Sequence, residues 1–267
     1  MSDIILQVEN LHKHYTVRHG IFGKKETIHS VNGISFTLHK GETLAIVGES
    51  GCGKSTAMRS LLRITEPTSG KILLHGQDFC TLKGEALQAA RKNIKMIFQD
   101  PYSALNPRMT VQDLIAEPLD IAGAYTSRGE RTELVLKAMD TVGLNRSYAD
   151  RYPHEFSGGQ RQRIGIARAI IMQPEIIICD EPVSALDVSI QAKIINLLKQ
   201  LQRERDISYI FISHDLGVVR HIADRIAVMY NGKFVEEGSV QSIFNNPQNA
   251  YTRTLLDSIP YIGKKRD

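Results

Sequence analysis

The sequence predicts an α/β fold with a parallel central sheet, an N-terminal antiparallel β part and a helical part in the middle of the chain. Short, continuous apolar runs recur along the chain, as is typical of strands buried on both faces of a sheet. They occupy residues 43–47, 95–98, 175–179 and 208–212. Helical stretches separate these runs, and one of them has apolar residues spaced to share a face, namely Ile190, Ile194, Leu197, Leu198 and Leu201. This alternation is the pattern of an α/β protein.

The N-terminal part is predicted to form antiparallel strands. Residues 4–9 alternate apolar and polar side chains, and Ile34, Phe36 and Leu38 repeat that pattern. Residues 18–27, between them, are basic and contain glycine, so we expect a loop or a hairpin tip there.

A second antiparallel pair is expected near the C-terminus. Residues 225–230 and 233–236 both have the composition of strands. They flank Asn231-Gly232, a dipeptide that tolerates positive φ and therefore suits a two-residue hairpin turn. The sequence thus predicts an antiparallel edge in this region.

The middle of the chain, about residues 101–170, is rich in helix formers and predicts a helical subdomain. Prolines are expected to punctuate it at Pro101, Pro107, Pro118 and Pro153. No motif is repeated, so we expect a single domain over residues 1–260, followed by a short tail at residues 261–267.

Composition restricts the class of protein. With 42% hydrophobic and 23% charged residues among 267, the chain has enough apolar material for a packed core. We expect it to remain in the cytoplasm, because it has neither an export signal nor an apolar run of the roughly 18 residues that a membrane span requires. The net charge of +4 is too small to indicate a nucleic-acid binder. The cysteines show no paired spacing that would predict a disulfide framework or a zinc site; they are Cys52, Cys80 and Cys179.

A phosphate-binding loop is predicted between the apolar run at residues 43–47 and the helical stretch that follows. Its sequence matches G-x-x-x-x-G-K-[ST], in which glycines let backbone N–H groups approach phosphate oxygens closely. In this motif the lysine contacts the β- and γ-phosphates and the serine ligates Mg²⁺. The candidate nucleotide-binding residues are Gly48, Glu49, Ser50, Gly51, Cys52, Gly53, Lys54, Ser55 and Thr56.

Two adjacent carboxylates, Asp180 and Glu181, follow the apolar run at residues 175–179. The C-terminal edge of a parallel sheet is where ligands bind, so both are expected near the phosphates. Transfer of a γ-phosphoryl group depends on positioning and charge neutralisation. We therefore expect Asp180 to hold Mg²⁺ and Glu181 to polarise the attacking water. At this point GTPases, kinases, helicases and DNA-repair ATPases all remain open.

A second glycine-containing turn discriminates between these classes. Phe156 precedes Ser157-Gly158-Gly159-Gln160, and a helical run follows, so the turn is expected at a helix N-terminus that can receive an anion. This segment resembles the signature motif of ATP-binding-cassette (ABC) ATPases, with phenylalanine in place of the commoner leucine. The resemblance implies that Ser157, Gly158, Gly159 and Gln160 bind nucleotide held by a partner cassette.

Further landmarks of the ABC family follow in order along the chain. Tyr15 matches the aromatic residue that stacks on adenine, and Gln99 matches the glutamine that senses the γ-phosphate. Ser184-Ala185-Leu186-Asp187 matches the loop that crosses to the partner, and His214 matches the switch histidine. The resemblance implies a catalytic set of Glu181, His214 and Gln99. It implies a metal set of Ser55, Gln99 and Asp180, with Asp187 near the nucleotide.

Two longer segments, residues 99–111 and 246–260, resemble the second ATPase subunit of the peptide and nickel importer branch. Gln248-Asn249 departs from the His-Pro common there, and the chain ends without the cysteine cluster that many members use for an iron–sulfur centre. The resemblance implies ATP and Mg²⁺ as cofactors, and because the cysteine cluster is missing we expect no iron–sulfur cluster. It implies a bacterial protein on the cytoplasmic face of the inner membrane.

The same resemblance implies an assembly. Its expected members are two membrane-spanning permease subunits, a second related ATPase or a second copy of this chain, and an external substrate-binding protein, with no nucleic acid. Peptides are the first expected cargo, and nickel, a metal chelate or glutathione are the alternatives. A soluble ABC ATPase of DNA repair, chromosome structure or translation is a rival class, and a GTPase is another.

Overall fold

The computed structural model describes residues 3–18 and 25–258. The chain divides into two compact units, one of Met1–Thr81 with Phe211–Asp267 and the other of Leu82–Ile210. The predicted tail at residues 261–267 lies outside the described residues, and the single-domain boundary at residue 260 stays a prediction.

Strands and helices alternate along the described chain. The strands are β1 (Ile4–Arg18), β2 (Lys25–His39), β3 (Thr43–Val47), β4 (Ser69–Leu74), β5 (Gln77–Asp78), β6 (Ile94–Ile97), β7 (Ile176–Asp180), β8 (Ser208–Ile212), β9 (Arg225–Tyr230) and β10 (Lys233–Ser239). The helices are α1 (Lys54–Leu61), α2 (Gly84–Asn93), α3 (Pro101–Ala104), α4 (Val111–Ala122), α5 (Arg128–Thr141), α6 (Gly158–Ile170), α7 (Val188–Arg205), α8 (Leu216–Ile222), α9 (Val240–Asn245) and α10 (Ala250–Asp257).

The first unit contains the predicted antiparallel part. Within the described residues, four strands form a sheet in the order β2-β1-β4-β5, and β1 pairs with β2 antiparallel. The strands are longer than the pattern at residues 4–9 predicted, because pairing continues to Arg18 opposite Lys25. Residue 18 and residues 25–27 of the expected loop are therefore part of the strands, and residues 19–24 lie outside the described residues.

The same unit contains β3, β9 and β10, neighbours in the order β10-β9-β3. β3 lies parallel to β9, and β10 returns antiparallel through Asn231-Gly232. Both turn residues have positive φ, +46° and +78°, which confirms the predicted hairpin. β3, β9, α8 and α9 share an apolar core, on which α10 packs Leu255 and Leu256.

In the second unit β6 and β7 pair in parallel, and β8, which begins in this unit at Ser208, is the next strand beside β7. The run predicted at residues 95–98 begins and ends one residue earlier, as β6, and Phe98 is exposed. α7 buries the predicted stripe of Ile194, Leu197, Leu198 and Leu201, whereas Ile190 is only half-buried.

The helical middle is confirmed in the second unit by α3 to α6, but one proline does not act as predicted. Pro118 lies inside α4 instead of interrupting it. Thr110 caps the start of α4 and Gly123, in the left-handed conformation, ends it. Buried side chains at Val111, Leu114, Ile115 and Leu119 hold one face of the helix in the core, and this packing outweighs the hydrogen bond that proline cannot make. Among the described helices, none is both long and apolar enough to cross a membrane.

Candidate nucleotide-binding site

The loop at residues 48–55 connects β3 to α1 and can only be built with glycine at two points. Gly48 and Gly53 have φ of +153° and +111°. A Cβ atom would lie 2.2 Å from the carbonyl oxygen of Met229 at Gly48, and 2.0 Å from that of Ser30 at Gly53. Backbone atoms cannot move aside as a flexible side chain can. The loop therefore packs so closely against neighbouring backbone at these two positions that only glycine fits there.

The Lys54 side chain folds back onto the start of this loop. Its side chain is 5% exposed, and Nζ donates to the carbonyl oxygens of Gly48, at 2.7 Å, and Glu49, at 2.8 Å. Cys52 Sγ lies 3.8 Å from the same Nζ. Burial raises the pKa of the Cys52 thiol, and Lys54 opposes that rise. The positive charge is thus fixed inside the loop, where a phosphate would be neutralised.

The outer side of the loop is held by later parts of the chain. The N–H of Gly232 donates to the carbonyl oxygen of Cys52 at 2.9 Å. The N–H of Glu49 donates to the Tyr251 hydroxyl at 3.0 Å. The sequence analysis does not predict the contact made by Tyr251, because residues 246–260 indicate only which family the chain resembles.

Two other predicted residues lie in the first unit. Tyr15, on β1 opposite Ile28, is 39% exposed, and the ammonium of Lys13 lies 5.0 Å from its ring centroid. More than a third of the surface of Tyr15 is therefore exposed to solvent. His214 is exposed just after β8, and Asp215 next to it caps α8 by accepting from the N–H groups of Gly217 and Val218.

The second unit holds the predicted acidic pair. Asp180 ends β7 and is 4% exposed. Glu181 has φ of +46°, a strained conformation for a residue that is not glycine. The side-chain amide of Gln99 donates to Glu181 Oε2 at 3.1 Å. The structure therefore brings together two of the three residues predicted to be catalytic.

The signature turn lies in the same unit and begins α6. Ser157 is the N-cap, and it forms a capping box with Gln160, whose side chain accepts from the N–H of Ser157 at 3.0 Å. This pattern, Ser-x-x-Gln before a helix, was readable in the sequence. Phe156, at the position where leucine is commoner, is buried and packs edge-on against Tyr148 at 5.4 Å between ring centroids.

The signature glycines pack against the loop at residues 184–187 and the start of α7. A Cβ atom at Gly158 would lie 3.2 Å from Leu186 Cδ2, and one at Gly159 would lie 2.5 Å from Ile190 Cγ2. Gln191, which sequence reasoning missed, donates from its amide to the carbonyl oxygens of Val183 and Leu186. The loop and the signature turn are therefore fixed to each other within the unit.

The three residues predicted to bind Mg²⁺ each carry an oxygen donor. Asp180 offers a carboxylate at the end of β7, and carboxylate oxygens are ligands of Mg²⁺. Ser55 and Gln99 offer oxygen atoms, the ligand type that Mg²⁺ prefers.

The predicted residues divide between the units. The first unit contains Tyr15, Gly48, Glu49, Ser50, Gly51, Cys52, Gly53, Lys54, Ser55, Thr56 and His214. The second contains Gln99, Ser157, Gly158, Gly159, Gln160, Asp180, Glu181 and Asp187.

Known proteins resemble this chain over most of its length. A family model described as ABC transporter matches residues 31–184, and one described as oligopeptide/dipeptide transporter, C-terminal region, matches residues 235–267. The oligopeptide transport ATP-binding protein AppF of Bacillus subtilis strain 168 is 54% identical, over 99% of this chain and 80% of that protein. The dipeptide transport ATP-binding protein DppF of Escherichia coli K12 is 49% identical, over 97% and 77%.

Solved structures of ATP-binding cassettes also resemble this chain. A dimeric post-hydrolysis state of the ATP-binding cassette MJ0796, bound to ADP and Pi, superimposes with a TM-score of 0.77 at 30% identity. The match covers 88% of this chain and 98% of that one. The fold, the family match and the relatives together show that the chain belongs to the ABC transporter family, among its ATP-binding cassettes.

Proposed function

We propose that this chain is the ATP-binding and ATP-hydrolysing subunit of an importer that brings peptides across the cytoplasmic membrane. One observation carries the proposal: a loop shaped for phosphate occurs in the same chain as a C-terminal region of the oligopeptide/dipeptide transporter type. Relatives about half identical to this chain are named for oligopeptide and dipeptide transport, which supports peptides as the cargo.

In this proposal the first unit binds the nucleotide. Backbone N–H groups within residues 48–56 contact the phosphates, whereas that of Glu49 donates to Tyr251, and Lys54 neutralises the β- and γ-phosphates. The ring of Tyr15 stacks on the adenine. The exposed position of Tyr15 and the buried ammonium of Lys54 support these roles.

Residues of both units take part in hydrolysis in this proposal. Glu181 polarises the water that attacks the γ-phosphate, and Gln99 orients the carboxylate through the hydrogen bond that joins them. His214 donates a hydrogen bond to the γ-phosphate. Ser55, Gln99 and Asp180 would hold Mg²⁺, which would supply positive charge to neutralise the phosphates during hydrolysis.

Each nucleotide is covered by a second cassette. The turn at residues 157–160 supplies a capped helix N-terminus, which favours an anion, and Asp187 lies in the loop that crosses to the partner. The dimeric structures of MJ0796, a similar cassette, support this arrangement. The second cassette is a related ATPase or another copy of this chain. Two permease subunits and an external binding protein complete the importer, with this chain peripheral on the cytoplasmic face.

Co-purification from gently solubilised membranes of the host tests the assembly. We expect the tagged chain to recover two multi-spanning proteins and a second ATPase. Recovery of the chain alone from the soluble fraction, or with nucleic acid or ribosomes, would contradict the transport role while leaving the ATPase activity intact.

Peptide uptake tests the cargo. In a host strain that lacks this chain, we expect the wild-type chain to restore uptake of a labelled tripeptide and Lys54→Ala to fail. Lys193→Ala, a matched change of an exposed lysine on α7, should restore uptake normally. Absence of peptide uptake with an active ATPase would show that peptides are the wrong cargo.

A further inference from the structure

We infer that Tyr251, in the C-terminal region of the chain, is a positioning residue that holds the phosphate loop in its nucleotide-binding shape. Its hydroxyl accepts a hydrogen bond of 3.0 Å from the N–H of Glu49. Glu49 is the second residue of the loop, directly after Gly48. This inference rests on the proposed role of residues 48–55 in binding ATP.

The contact joins two segments that are 202 residues apart in sequence. The loop turns away from β3 at Gly48, and Glu49 itself is exposed. Cys52, at the other end of the loop, is tied through its carbonyl oxygen to Gly232. Tyr251 makes the corresponding hydrogen bond near the start of the loop, so later segments of the chain hold the loop near both of its ends.

Tyr251 is itself fixed in place by several contacts. Its ring packs against Tyr230 at 4.4 Å between centroids, and it lies against the apolar core of the first unit. Its own N–H donates to Asn249 Oδ1 at 2.9 Å, which caps α10. Glu236 accepts from the N–H groups of Gln248 and Asn249, at 2.7 Å and 3.0 Å. The hydroxyl therefore presents a fixed acceptor.

The protonation state of Tyr251 agrees with this role. A phenol is neutral at physiological pH, and burial raises the pKa of Tyr251 further, so the hydroxyl accepts from Glu49 without bringing a negative charge to the loop. A tyrosinate next to a phosphate-binding loop would repel the ligand.

The physical consequence concerns affinity. A loop that is already in its binding shape loses less conformational entropy when ATP binds. Without the hydroxyl, the start of the loop samples more conformations in the free protein, and bound phosphates must restore the shape. ATP binding should weaken, while turnover of the bound complex should change little.

Tyr251→Phe tests this inference, because it keeps the ring and its packing and removes only the acceptor. We expect the Kd for ATP, and the KM of hydrolysis, to rise about three- to ten-fold, the effect of one neutral hydrogen bond, with kcat within about two-fold of wild type. Tyr230→Phe is the matched control, since it removes a hydroxyl from the adjacent ring, and it should bind ATP as wild type does.

Hydrogen exchange without nucleotide provides a direct readout. The amide of Glu49 should exchange faster in Tyr251→Phe, whereas amides in α6 should keep their wild-type protection. Unchanged Kd and unchanged Glu49 exchange would overturn the inference, and so would a loss of kcat with a lower Tm, which would indicate a general structural role. If the wild-type chain itself failed to bind ATP, the proposed role of the loop would be wrong and this inference with it.

Discussion

The phosphate loop and the signature turn both contain glycines that face phosphate in the proposed function, but they need glycine for different reasons. In the loop, a side chain at Gly48 or Gly53 would collide with carbonyl oxygens of the backbone, and both residues have positive φ. In the signature turn, a side chain at Gly159 would meet the methyl group of Ile190. The loop requires glycine because of neighbouring backbone atoms, whereas the signature turn requires it because of one neighbouring side chain.

The two regions also differ in what they contribute. The loop presents backbone amides and a buried ammonium, which are groups for binding an anion. The second unit presents a strained glutamate in contact with a glutamine, and the proposed function assigns to the glutamate the activation of water. Binding and hydrolysis should therefore be separable by mutation, and the following predictions test that separation.

The largest effect is expected for Glu181→Gln. The change keeps the shape of the side chain and removes the base, so kcat should fall about 100- to 10,000-fold while ATP affinity stays close to that of wild type. Steady-state hydrolysis and equilibrium ATP binding would be measured together. Lys54→Ala should give the opposite result, with binding itself lost. Normal turnover in Glu181→Gln would show that another group activates the water.

The next effect is expected for Gly53→Ala, compared with Gly51→Ala. Both residues have positive φ, but a Cβ atom at Gly51 meets nothing within 4 Å among the described residues. Gly53→Ala should therefore cost about 3–5 kcal/mol of unfolding free energy, and Gly51→Ala only about 1–2 kcal/mol of backbone strain. Thermal unfolding without nucleotide measures both. Equal losses would mean that backbone collision is not the reason for glycine at residue 53.

A smaller loss of stability is expected for Gly159→Ala, and a second substitution should partly restore it. The added methyl group should displace Ile190 and cost about 1–2 kcal/mol of stability. Ile190→Ala in the same chain should make room for it, so the double variant should be more stable than the sum of the two single changes predicts. A double-mutant cycle of unfolding free energies gives the coupling. Strict additivity would show that the side chain of Ile190 is not what requires glycine there.

The smallest effect is expected for Ser157→Ala, compared with Ser127→Ala. These serines cap α6 and α5, so each change should remove about 1 kcal/mol and lower Tm by about 2–4 °C. Only Ser157 belongs to the signature turn, and only its loss should also slow ATP hydrolysis. If hydrolysis is unchanged in both variants, Ser157 acts as a helix cap alone.

Much of this protein was readable from local patterns. The apolar runs predicted β3 and β8 at their observed bounds, and Asn231-Gly232 predicted the hairpin. Pro118 was misread because the rule for proline is local, whereas α4 is held by side chains that pack on other helices. Phe98 was assigned to a strand by its hydrophobicity, although it lies exposed beyond the end of β6.

The candidate site residues could be identified from the sequence alone, because the phosphate loop, the acidic pair and the signature turn are short motifs whose residues are contiguous. The contacts that hold these residues in place became visible only in the tertiary structure. The carbonyl oxygens of Ser30 and Met229 explain two glycines, and Tyr251 reaches Glu49 across 202 residues. Contacts between distant segments depend on how strands and helices pack, and the spacing of residues along one segment carries no information about that packing.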